Sequence, residues 1–203
     1  MTTLCARLSD VLTDEERQEL VREASLAPAN HADQVTTVYH YSEDGTIKRF
    51  TPHVPATNPS HPPSVWALDA EHSPLYWFPR DCPRISVWAR TPAHHHLLSN
   101  TFGTESPRIC AAESHWLTRV RDAEIYRYSF DAEQFAQWHE ADGQYISGDT
   151  AYPVRVELLD DLLGLHADAG IELRFTPRIG RLIDQMLASG LPFSFVRIRH
   201  ALR

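Results

Sequence analysis

Two rhythms run along the chain. Short β-branched or aromatic runs occur at Gln34 to Tyr41, Ile47 to Phe50, Val65 to Leu68, Ile85 to Ala89, Arg108 to Ala112 and Glu124 to Phe130. They recur at Gln144 to Ser147, Tyr152 to Leu158, Ile171 to Phe175 and Phe193 to Ile198. Runs of this length and composition predict strands. Between them lie stretches with helical signals. Thr13 and Glu16 form a capping box that predicts a helix to about Ser25. Ser73 is placed to cap a short aromatic helix with Pro74 at its first position. Asp131 predicts a helix carrying Phe135 and Trp138 on one face, stopped by Gly143, and Asp160 to His166 and Pro177 to Ser189 predict two more. The two kinds of element are interspersed without a βαβ rhythm. The pattern therefore predicts an α+β single domain with a mixed, mostly antiparallel sheet and short covering helices.

One stretch dominates the pattern. From Ser64 to Ala89 a strand, a compact aromatic helix and a second strand carry Trp66, Tyr76, Trp77, Phe78 and Trp88. Rings bury a large apolar area, so this stretch predicts the core and one wall of any site. Ahead of the domain, Ala27 to Asp33 reads as a linker, which divides the chain into residues 1–33, helix and linker, and residues 34–203, the α+β domain. The helix is then an appendage. Thr51 to Pro63 holds five prolines with His53 and His61, a semi-rigid loop of a length more often functional than accidental.

Composition narrows the function classes. The chain has 203 residues and a formal net charge of -8, with its basic residues scattered, which disfavours an extensive nucleic-acid surface but leaves room for a local arginine pocket. No apolar segment approaches the ~20 residues needed to span a bilayer, so the expectation is a cytoplasmic protein without a membrane partner. Cys5, Cys82 and Cys110 are too few and too separated for a disulfide framework or a zinc ribbon. The common dinucleotide, Walker, zincin and hydrolase motifs are all missing.

Candidate chemistry rests on histidine and arginine. His40 ends the first strong strand between Tyr39 and Tyr41, where it could meet a ligand or serve as a hydrogen-bonded structural residue. Arg80 and Arg84 could form a fork for phosphate or carboxylate, or pair with Asp81 or Asp69. His94, His95 and His96 cannot all ligate one ion from a strand, where neighbours face opposite ways. No metal site is expected there. Cys82 has no activating neighbour, Glu113 and His115 make a weak acid/base pair, and Glu172 and Arg174 read as a surface ion pair. Arg197 and Arg199 share one face of the last predicted strand, as a solvated basic edge would.

The segments Val38 to Glu43, Ile47 to Pro52, Val65 to Asp69, Tyr76 to Ile85, Gly170 to Arg174 and Phe193 to Arg199 resemble an uncharacterised bacterial family of unknown function, over roughly residues 36–201. A strand ending in His, a strand entering a short aromatic helix and a further strand are also similar in order to the opening of the ADP-ribosyltransferase fold. That fold includes the RNA 2′-phosphotransferases and the poly-ADP-ribose polymerases, and the likeness implies its split sheet. By position it implies that His40, with Tyr41, holds an NAD ribose and that Trp66 or Tyr76 lines the ring pocket. Gln144 stands in the late strand where many members carry Glu. Phosphotransferase-like members rely on Arg and His, a part Arg80 or Arg84 would fill. The resemblance thus implies a small-molecule nucleotide ligand, with NAD as cofactor, and ADP-ribosyl or phosphoryl transfer by His40 and Arg84. The alternatives are a non-catalytic binding module and a metal-dependent hydrolase built on the His-rich loops.

Overall fold

A computed structural model describes residues 11–25, 35–55 and 58–202. The linker read at 27–33 lies outside these residues. In chain order the elements are α1 (Asp14–Ser25), β1 (Thr37–Ser42), β2 (Val65–Leu68), a 3-10 turn (Ser73–Tyr76), β3 (Arg84–Trp88), α2 (Pro92–Phe102), β4 (Arg108–Glu113) and α3 (Leu117–Arg121). They continue with β5 (Ile125–Asp131), β6 (Ala136–Gln137), β7 (Gln144–Ser147), β8 (Arg155–Leu159), α4 (Leu162–Asp168), β9 (Glu172–Thr176), α5 (Gly180–Ser189) and β10 (Phe193–Val196). This is an α+β domain with two sheets. The first runs β6-β7-β2-β1-β5-β8 and is antiparallel throughout, while the second runs β10-β3-β4-β9 with β4 and β9 parallel. No described helix is long and apolar enough to cross a membrane.

Trp77 and Phe78 lie at the centre of the largest core cluster, with Cys82, Cys110, Val120, Leu162 and Leu165 around them. They belong to the stretch that the aromatic count picked out. Leu20 and Ala24 of α1 are buried in the same cluster. The helix set apart by the linker is therefore packed against the domain, and its Glu23 accepts a hydrogen bond from the Tyr39 hydroxyl at 3.0 Å. The Thr13 capping box forms as expected, with Thr13 N–H donating to Glu16 at 2.8 Å. Burial of the thiol pushes Cys82 up to about 12, an inert thiol at neutral pH.

Three local expectations fail for identifiable reasons, and one stretch forms a helix that the pattern did not predict. Ile47 to Phe50 is not a strand. Asp44 closes a turn on Thr46 N–H at 2.8 Å, the Tyr128 hydroxyl takes Ile47 N–H at 3.1 Å, and only Phe50 makes a bridge, to Ala151. Ser73 does not cap the aromatic turn, because its hydroxyl donates to the Asp69 carbonyl at 2.9 Å. The helix expected from Asp131 is a single 3-10 turn, Ala132–Gln134. Beyond it Trp138 N–H donates to Gln144 O at 2.7 Å and its ring meets Trp66 at 5.9 Å, so tertiary contact overrides the local signal. Last, His94 to His96 lie on α2, capped by the Thr91 hydroxyl and ended by Gly103 at φ 64°. A helix fans three consecutive side chains around its axis, and no group of three metal-ligating residues occurs among the described residues.

Gly143 shows how tightly the hairpin before β7 is built. Its φ is +67°, and a Cβ there would collide with the ring of His72. Gly143→Ala is expected to cost about 2 kcal/mol or more, combining left-handed strain with displacement of His72. A shift in the urea midpoint checks it; an unchanged midpoint would show that the His72 contact is loose.

Candidate functional site

The two sheets leave a cavity of about 740 Å³ between them. The first sheet supplies His40, Tyr41, Trp66 and Gln144, the Pro-rich loop supplies His53 and His61, and the hairpin between β6 and β7 supplies Trp138 and Glu140. From the other side come Tyr76, Phe78, Arg80, Arg84, Phe195, Arg197 and Arg199. All six residues singled out as ligand-facing, His40, Tyr41, Trp66, Tyr76, Arg80 and Arg84, thus line one cavity.

Each is held by local chemistry. His40 sits in the middle of β1, where its Nδ1 lies 2.8 Å from the Trp66 carbonyl oxygen. A carbonyl only accepts, so the proton is on Nδ1 and Nε2 keeps its lone pair. Burial pulls the His40 pKa below its ordinary value, with the nearby Arg80 and His53 charges pulling the same way. His40 is consequently a neutral imidazole at pH 7, able to accept a proton. Tyr41 and Tyr76 stack at 6.2 Å. Burial raises both phenols, while the charge of Arg84 draws Tyr76 the other way.

Arg84 is the unusual group. It is 3% exposed, and its guanidinium donates to the carbonyls of Leu75 at 2.8 Å, Pro79 at 3.4 Å, Arg80 at 3.2 Å and Cys82 at 2.9 Å. These bonds pin the segment from the aromatic turn to β3. Neither Asp81 nor Asp69 pairs with it, and among the described residues no carboxylate lies within ion-pair distance. Burial lowers its pKa to about 10, still charged at neutral pH. Its guanidinium lies 5.5 Å from the Tyr76 ring and 5.8 Å from Phe78. A buried cation with carbonyls for partners and no counter-ion, opening on a cavity, leaves charge for an anion to neutralise. Arg80 is exposed at the rim, its backbone N–H bound to Glu43 at 3.1 Å.

The last arginines were legible in sequence but misplaced. β10 ends at Val196, and Arg197 takes a left-handed backbone at φ 58°, which takes it out of the alternation that a longer strand would impose. Its Nε donates to the Arg80 carbonyl at 3.2 Å. Arg197 and Arg199 both line the cavity, so the basic edge read as solvated is part of the wall. Four arginines face two glutamates there, Glu43 and Glu140, an excess of positive charge in a chain of net charge -8. His61, Trp138, Phe195 and Gln144 were not singled out as ligand-facing. Trp138 was assigned to a helix and Gln144 noted only for not being Glu, and the hairpin that joins them is a tertiary feature.

Glu113 and His115 do not belong to the cavity. Glu113 is buried, 3.9 Å from His115, and both of its oxygens accept the Leu202 N–H at 3.0 and 3.1 Å. Glu172 and Arg174 do pair, at 2.6 Å.

Fold and site define an α+β protein whose two sheets enclose an arginine-lined, aromatic-walled cavity. Residues 39–201 match the family of unknown function DUF6886, and the chain belongs to that family. No curated protein and no solved structure matches it.

Proposed function

We propose that the cavity binds a nucleotide phosphate ester, with NAD as the first candidate, and that His40 accepts the proton in an ADP-ribosyl or phosphoryl transfer. The observation that carries this reading is Arg84, a buried, charged guanidinium with no carboxylate partner on a cavity lined by three further arginines. Its Nε and Nη1 donate to carbonyls, which leaves Nη2 to hold an anion, and the proton chemistry falls to His40. The stacked tyrosines and Trp66 supply ring surfaces beside that anion site. The same cavity is lined by His40, whose neutral imidazole is the kind of group that general-base catalysis needs.

A thermal-melt titration with NAD, ADP-ribose, inorganic pyrophosphate and nicotinamide tests it. A phosphate ligand at 100 times its dissociation constant should stabilise by about 2.7 kcal/mol, a rise of a few degrees. Arg197→Ala, at the rim, should weaken that ligand by about tenfold, consistent with the ~1.5–3 kcal/mol of a charge-assisted hydrogen bond. Arg84→Lys should weaken it further and also lower the melting temperature, because a compact ammonium with three donors cannot reproduce the planar fork that serves four carbonyls. If no phosphate-bearing compound shifts the melt, the reading fails. Nicotinamide release from NAD, lost in His40→Ala while NAD binding persists, separates transfer from binding alone. The second reading, a non-catalytic interaction module, is favoured by one observation: Phe193 and Phe195 stack at 6.1 Å, exposed on the edge strand of the second sheet, where a partner could cover them.

A further inference from the structure

Another part of the cavity lining has a different chemistry. His61, Trp66 and Trp138 form a continuous aromatic wall, with ring centroids 4.9 Å apart from His61 to each tryptophan and 5.9 Å between the tryptophans. Gln144 lies beside that wall: its backbone oxygen takes the Trp138 N–H at 2.7 Å, and it also lines the cavity. Among the described residues its side-chain amide has no hydrogen-bond partner, although it can donate two and accept two. His61 adds an independent sign of a missing partner. It is 7% exposed, and its Nδ1, 2.7 Å from the Pro62 carbonyl, must carry the proton. Nε2 is therefore an acceptor, and it is buried with no donor. The Trp66 indole N–H is likewise buried without an acceptor.

From these groups we infer that Gln144 and the His61–Trp66–Trp138 wall form a subsite for a heteroaromatic ring whose edge presents an N–H donor next to an acceptor. The inference rests on the anion reading above, which places the phosphate of the same ligand at the arginines. The two tryptophan planes stand 71° apart, so a flat ring stacked on the face of one meets the edge of the other, and an amide side chain reads such a ring edge with two hydrogen bonds, as Gln does with adenine. Two parts of an NAD-like ligand share that chemistry, the aminopurine and the nicotinamide carboxamide. A carboxylate at position 144 would accept but not donate, so Gln is the residue type this edge requires. His61 contributes acceptor character to the same wall.

The experiment is calorimetric titration of the full chain with ribose 5-phosphate, AMP and nicotinamide mononucleotide, for wild type, Gln144→Leu, Gln144→Glu and Trp138→Ala. In the wild type, at least one of the two nucleotides should bind tenfold or more tightly than ribose 5-phosphate, and which one does so identifies the ring. Gln144→Leu and Gln144→Glu should each remove most of that advantage while leaving ribose 5-phosphate affinity within about twofold, and Trp138→Ala should do the same. Melting of each free variant confirms that it is folded, and the near-isosteric Gln144→Glu serves if Gln144→Leu is not. Equal affinity for all three compounds, or an advantage that survives both Gln144 variants, overturns the ring subsite and leaves the anion site standing. Failure of every compound to bind overturns both.

Discussion

Arg127→Met is expected to destabilise the protein by about 3–5 kcal/mol, the loss that follows when one partner of a buried ion pair is removed and the other stays. Arg127 on β5 and Glu157 on β8 are both buried, and they meet through two hydrogen bonds of 2.8 and 3.1 Å. Glu23 of α1 approaches the same guanidinium at 3.6 Å, and the Tyr39 ring lies 4.8 Å beneath it. Burial works against the charge of Arg127, but the surrounding acidic groups outweigh it and hold its pKa above the ordinary value. Removing the arginine leaves Glu157 with only Arg155, at 3.2 Å, and loosens α1 at once. Urea unfolding measures the loss. Arg127→Met with Glu157→Met should recover much of it, because no buried charge is then left alone; a double variant as unstable as the single would show that the loss is packing.

Acidification should destabilise the protein by up to about 3 kcal/mol through one histidine, His166. Its ring is fully buried against Trp77 and Phe78, at 5.3 and 4.9 Å, with Nδ1 2.7 Å from the Leu162 carbonyl. Burial lowers its pKa from the ordinary 6.5 to about 4. The sign follows from where protons bind. Between pH 6.5 and 4 the unfolded chain takes up a proton that the folded ring refuses, so stability is intact above that window and is lost as pH falls through it. The depressed His40 acts in the same direction. His166→Leu should flatten the decline in urea midpoint between pH 6.5 and 4 relative to wild type; a parallel decline in both would place the acid sensitivity elsewhere.

Much of the fold can be read along the chain. β2 and β7 coincide with their predicted runs: β2 is apolar throughout and largely buried, and β7 is a short run whose burial alternates. The half-exposed strand read at Ile171 to Phe175 is β9, although its residues are uniformly half-buried rather than alternating. The family membership over residues 39–201 spans the segments whose resemblance was noted. Elements whose form depends on a distant partner were not legible. The stretch after Asp131 has helical spacing, but Trp138 finds Trp66 across a hairpin, and Ile47 lends its N–H to a tyrosine 81 positions away. α2 was missed because only Leu98 and Phe102 of its eleven residues are buried, too few to mark a face.

The site divides in the same way. Sequence by itself determined the fold class, the aromatic core centred on Trp77 and Phe78, and the residue types that can meet a phosphate ester: a strand-borne His40, a Pro-flanked Arg84, and tyrosines and a tryptophan nearby. Those follow from local composition, which a strand or turn carries wherever it ends up. Only the tertiary structure decided that Arg84 is buried on carbonyls without a counter-ion, that Arg197 and Arg199 turn toward the cavity, and that Gln144 stands beside a wall of three rings. Each of these depends on contacts between two sheets whose strands are far apart in the chain. Spacing along the sequence carries no record of such a contact.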